Sequence, residues 1–239
     1  MSLLQIISHS VRERGFSGTV SRVVERSIET ASERLYDVRL GVDTSGQVPC
    51  TQTSPTTGET GRGYRGTAPG FLRRRIRSLQ IPFEESVFVD LGSGKGRTLL
   101  LAAEFPFRGI VGVELSDSLH RVAVANVAAL GLENRITCLR SDASDYRFPD
   151  DALVLFFFNP FPEEVLRQVV QRLGEAWERK PRPIRIIYRK PIWTKALDSA
   201  PFLVRIESRR NRIMRDYSYA IYRDAGHAIE DSRRVEAAP

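Results

Sequence analysis

Cysteine is scarce in this 239-residue chain: only Cys50 and Cys138 occur, with no Cys-x-x-Cys spacing. A disulfide framework and a thiolate zinc site are therefore not expected, and a reducing, cytoplasmic location fits. The three histidines, His9, His120 and His227, are scattered, so no metal cluster is expected either. No apolar run approaches the roughly 18 residues of a membrane-spanning helix. The opening "MSLLQIISHSVRER" lacks a basic leader and a small-residue cleavage site, so no signal peptide is expected. A P-loop pattern, Gly-x-x-x-x-Gly-Lys-Ser/Thr, is also absent.

What is present is an ordinary globular composition, 41% hydrophobic and 27% charged, with a formal net charge of +7 carried mostly by arginine. The basic residues cluster in "FLRRRIRSL" (71–79) and "VRIESRRNRIMR" (204–215). Such charge fits an anionic partner such as nucleic acid, but a plain solvated surface is the favoured reading. No aromatic-interleaved RNA-binding signature accompanies it.

Along the chain, apolar residues at helical spacing (Leu3, Ile6, Ile7, then Val20, Val23, Val24, Ile28, Leu35) predict an N-terminal helical extension over 1–40, broken near "GFSG". Residues 41–68 turn rich in Gly, Thr, Ser and Pro, the composition of a linker or lid without regular structure. From 69 to 223 helices and strands alternate. Helices are expected over 69–79, 97–105, 117–130, 163–178 and 192–198. Strands are expected over 86–91, 109–115, 135–140, 151–158 and 183–190, then over 202–208 and 214–223 as a closing pair. Such alternation predicts an α/β fold: a doubly wound, seven-stranded, mostly parallel sheet with a C-terminal antiparallel hairpin. The tail 224–239 shows no period.

The turn "DLGSGKGR" follows the first main strand. A dinucleotide fingerprint spaces its glycines Gly-x-Gly-x-x-Gly, whereas here the third glycine comes one residue early. The aspartate at the strand end would also repel a pyrophosphate. A ligand bearing cationic groups and hydroxyls is expected instead, and S-adenosylmethionine (SAM) meets that description. Asp90, Gly92, Ser93, Gly94 and Gly96 form the expected cradle, with the following helix start aimed at the ligand's carboxylate or ribose edge. Glu114, at the tip of the next strand, is placed to accept the ribose hydroxyls; Asp142, with Ala143, falls after the third strand, at the adenine. Plain structural alternatives are a tight turn at the glycines, a helix cap at Glu114 and a capping segment at "SDAS".

The segments "VFVDLGSGKGR", "GIVGVELSDSL" and "RSDAS" resemble the successive cofactor motifs of class I, Rossmann-like SAM-dependent methyltransferases, over residues 62–223. With the upstream "YRGTAPGFL", the chain is similar to non-SET protein-lysine methyltransferases, and more so to small bacterial methyltransferases of unassigned substrate. The resemblance implies that Tyr64 and Thr67 lie against the methionine part of the cofactor.

The fourth strand ends in "FFFNPFP". Asn159-Pro160-Phe161 resembles the Asn/Asp-Pro-Pro-aromatic segment of amino-methylating relatives, one proline short. The resemblance makes Asn159 and Phe161 the catalytic pair, with Asn159 also near the cofactor; the alternative is a strand ending in a turn with Phe161 in the core. The expected activity is methyl transfer to nitrogen, a protein lysine being favoured. RNA, a small-molecule acceptor and a non-catalytic SAM-binding module are the rivals. Asp43 and Tyr64 are weak candidates for a base. The acceptor and the oligomeric state are not legible.

Overall fold

The computed structural model describes residues 31–49, 63–79, 81–158, 162–210 and 217–226. A helix, α1, occupies 31–40. Two short strands follow, β1 (Gln47–Val48) and β2 (Tyr64–Arg65), paired antiparallel with Gln47 opposite Arg65. The 41–68 stretch is thus not wholly irregular, because its two ends zip into a small ladder. After α2 (Pro69–Arg77) come β3 (Ser86–Leu91), α3 (Arg97–Ala102), β4 (Gly109–Glu114), α4 (Asp117–Ala129) and β5 (Ile136–Arg140). The second half runs β6 (Ala152–Phe157), α5 (Glu163–Arg179), β7 (Ile184–Arg189), α6 (Thr194–Asp198), β8 (Leu203–Arg209) and β9 (Tyr219–Asp224).

The main sheet has the order β5-β4-β3-β6-β7-β9-β8. Its first five strands pair in parallel, and β9 pairs antiparallel with both β7 and β8. This is the doubly wound, seven-stranded sheet with a closing hairpin that the alternation predicts. The chain winds outward from β3 through β4 to β5, then crosses back to β6 on the other side of β3. A crevice opens at that reversal, beyond the carboxyl ends of β3 and β6.

Strand alternation splits the core in two. Val87, Val89 and Leu91 of β3 join Leu153, Leu155 and Phe157 of β6 on one face, beneath Leu166, Val169 and Leu173 of α5. Phe88 turns to the other face with Val154, Phe156 and Ile187, beneath Leu72 and Ile76 of α2 and Leu99–Leu101 of α3. Helix α3 ends at Ala102, three residues before the expected 105. The chain tightens there into short-range bonds, Glu104 N–H to Leu101 O and Phe105 N–H to Ala102 O, before Pro106 removes the next donor. The strand expected over 214–223 runs Tyr219–Asp224, and residues 211–216 lie outside the described part.

Among the described residues no helix is long and apolar enough to cross a membrane, and no group of three metal-ligating side chains is assembled. Cys138 is a free thiol, raised above its ordinary range by burial.

Candidate active site at the carboxyl ends of the parallel strands

The glycine turn caps β3 where the crevice opens. Gly92, Gly94 and Gly96 have φ of 83°, 55° and 81°, the left-handed region that side chains resist. Gly92 N–H and Ser93 N–H both donate to Val113 O, at 2.8 and 3.1 Å, tying the turn to the end of β4. At Gly94 the requirement is also steric: a Cβ there would stand 2.2 Å from Cδ2 of Tyr64. At Gly112, beside Asp90 in register, a Cβ would meet Leu99 at 2.5 Å and the Ser93 hydroxyl at 2.9 Å. Backbone and side chains are thus closely fitted around the bend.

Two buried carboxylates flank it. Asp90 is 2% exposed and accepts a hydrogen bond from the Thr98 hydroxyl of α3. Burial raises its pKa to about 7, and the nearby Glu114 charge pushes the same way, against the Thr98 bond. Glu114, at the tip of β4, accepts from Gly94 N–H through Oε2 and from Ser116 N–H through Oε1, each at 2.8 Å. Burial raises its pKa as well, while these backbone donors hold it down. Both oxygens keep acceptor capacity beyond these bonds. Asp142 Oδ1 accepts from Ser144 N–H at 2.8 Å and from the Ser144 hydroxyl at 2.7 Å, so it caps the short turn Ala143–Asp145. The capping alternative for "SDAS" therefore describes its local role.

Tyr64 lies on the turn, its ring against Gly94 and its hydroxyl donating to Thr44 O at 2.6 Å. Burial drives its phenol well above the ordinary range, so it is unsuited to act as a base. Thr67 is buried nearby in sequence, just ahead of α2. Asp43, the other candidate base, is ion-paired with Lys95 Nζ at 2.7 Å on the outside of the turn. Asn159 and Phe161 lie outside the described residues.

Three groups near the site escaped the sequence reading. Asn126 of α4 is 4% exposed. Its amide nitrogen donates to Asp43 O (2.8 Å) and Lys95 O (2.9 Å), and its oxygen accepts from Asp43 N–H (2.8 Å). The detectable signal was an asparagine set within the apolar run "VAVANVAAL". Arg97 is 1% exposed, an odd charge at the head of "TLLLAA". Arg189, at the carboxyl end of β7, is also 1% exposed. Its guanidinium carbon sits 4.2, 4.9 and 5.9 Å from the ring centroids of Phe158, Phe71 and Tyr217. Those rings come from segments far apart in sequence, so no local pattern announces the cluster.

The donor set suits a ligand with positive charge and hydroxyls. Buried carboxylates at neighbouring strand tips repel one another and would repel phosphate, and a cationic group between them offsets both costs.

Comparisons with known proteins agree with this geometry. Residues 88–178 match the family described as a methyltransferase domain. Over 110 residues the chain is 26% identical to a protein-lysine N-methyltransferase of Saccharolobus islandicus (strain REY15A), spanning 46% of this chain and 68% of that protein. Its fold is like that of a SAM-dependent O-methyltransferase from Thermotoga maritima (TM-score 0.51, 17% identity, 66% of this chain and 65% of that one). It is also like TrmN from Thermus thermophilus (TM-score 0.52, 16% identity, 66% and 48%). Turn, carboxylate-tipped strands, sheet order and these matches converge: residues 88–178 are a methyltransferase domain on a Rossmann-like α/β fold, and SAM-dependent methyl transfer is the activity that they support.

Proposed function

We propose that the chain transfers a methyl group from SAM to the side-chain nitrogen of lysine in a protein acceptor. The observation that carries the transfer itself is the pair Asp90 and Glu114, buried on either side of a turn that only glycine can build. What favours lysine is the similarity to the protein-lysine N-methyltransferase of Saccharolobus islandicus, together with the sequence "NPF" that follows β6.

In this reading Gly92–Gly96 and Ser93 line the methionine end, with Tyr64 and Thr67 above it. Glu114 takes the ribose hydroxyls alongside its backbone donors, and Asp142 and Ala143 border the adenine. When bound, SAM supplies a sulfonium-activated methyl carbon, so in-line positioning provides most of the rate. The protein's remaining tasks are to hold a deprotonated amine and to exclude water. Asn159 is assigned to orient the amine and Phe161 to pack on its alkyl chain. A lysine with an ordinary pKa of about 10.4 must shed its proton, which burial favours. Phe158, held against Arg189 and next in sequence to Asn159, is assigned as an apolar wall for the acceptor.

Incubation of the purified chain with tritiated SAM and a fractionated cell extract tests the acceptor. Label recovered as methyl-lysine after acid hydrolysis of the protein fraction is expected. Label confined to RNA or to small molecules would overturn the lysine assignment. Conversion of SAM to S-adenosylhomocysteine separates an enzyme from a non-catalytic SAM-binding module.

A further inference from the structure

Arg97 opens α3, directly after the glycine turn, yet its partners come from the opposite end of the described chain. Its Nε donates to the Thr44 hydroxyl at 2.8 Å. Nη1 lies 3.2 Å from Glu33 Oε2 and Nη2 lies 3.5 Å from Asp37 Oδ1, both carboxylates on α1. Gly66, just past β2, lies against the guanidinium so closely that a Cβ would stand 2.2 Å from Nη1. The network closes on itself. Thr44 donates to Asp37 through both N–H and hydroxyl, Ser45 N–H adds another bond, and Asp37 is held below its usual carboxylate pKa by these bonds and by Arg97, against its own burial. Tyr64 then links Thr44 O to the face of Gly94.

A buried cation costs several kcal/mol unless it is paired, and removing it would strand two carboxylates. The rest of α3 is apolar core apart from Thr98, so the helix itself has no need of a charge at this position. The contacts all serve to join residues 33–45 to the bend that the cofactor reading uses.

We infer that Arg97 is a positioning residue for the cofactor turn: it latches the strap formed by residues 33–48 onto Gly92–Gly96, so strap seating and SAM binding are coupled. This rests on the reading of that turn as the SAM site. The coupling is reciprocal: SAM holds the strap down, and a loosened strap weakens SAM. Lys95 to Asp43 and Asn126 to Asp43 fasten the outer side of the same strap.

The test uses the full chain. SAM affinity is measured by calorimetry, and amide exchange over residues 37–48 is followed with and without SAM. In the wild type SAM slows that exchange about tenfold. Arg97→Gln weakens SAM at least tenfold and abolishes the SAM-dependent slowing in the strap. Thr44→Val is the milder variant: it keeps the cation, removes the acceptor of Nε, and weakens SAM several-fold. Exchange in β7 and β9 stays slow in all three proteins, which separates unlatching from general unfolding. Wild-type affinity in both variants, or strap exchange indifferent to SAM in the wild type, would overturn the latch. A wild-type chain that binds no SAM would overturn the cofactor reading itself, and the latch with it.

Discussion

Asp90 carries a consequence that can be read at a single titration. Its pKa stands near 7, raised first by burial and then by Glu114. A carboxyl whose folded pKa is raised holds its proton more tightly in the folded state. It therefore favours the fold at acid pH, and that contribution is lost as pH rises from about 4 to about 7. SAM should prefer the ionised form, so SAM affinity rises between pH 6 and pH 8, and binding at pH 6 releases a proton. Calorimetry in buffers of different ionisation heat measures that proton directly. Asp90→Asn should bind SAM more weakly at pH 8 and show no such pH dependence; an unaltered profile would place the titration elsewhere. Glu114→Ala should weaken SAM at least tenfold, about 1.4 kcal/mol. Gly94→Ala meets both a φ of 55° and the Tyr64 ring. The backbone alone makes it less stable by roughly 1–2 kcal/mol, a loss that urea unfolding would reveal.

At the scale of elements, much of the frame was legible because strand and helix periods are local. β3 alternates Phe88 and Asp90 toward one face with Val87, Val89 and Leu91 toward the other, and the turn chemistry follows directly. The ends of elements were less legible. Helix α3 stops early because Pro106 and the bonds around Glu104 compete with it, a contest that apolar patterning does not register. What lay beyond reading was long-range. Arg97 meets Glu33 and Asp37 across some sixty residues of sequence, and Asn126 meets Asp43 across 83. Neither pairing leaves a local trace beyond a polar residue in an apolar run. Asn126→Ala removes the anchor of the strap on α4 and leaves Asp43 backbone groups unpaired. A cost of about 1–3 kcal/mol is expected, seen as a lower urea midpoint; no change would mean that water replaces the amide at little cost. Deleting 41–60 should slow turnover, because Asp43, Thr44 and Ser45 leave with it; an unchanged rate would reduce that segment to a linker.

The described part of the molecule is a two-faced sheet whose strand order reverses between β3 and β6; residues 33–45 are tied to Arg97 after the glycine turn, and Arg189 sits among aromatic rings at the end of β7. In the proposed function, carboxylates at adjacent strand tips hold a cationic sulfur nucleoside. One titration tests it most directly, with SAM, S-adenosylhomocysteine and NAD each added to the full chain at pH 8. Both sulfur nucleosides should bind, each displacing the other, and NAD should give no heat. Saturable NAD binding that SAM displaces, with SAM the weaker ligand, would contradict it.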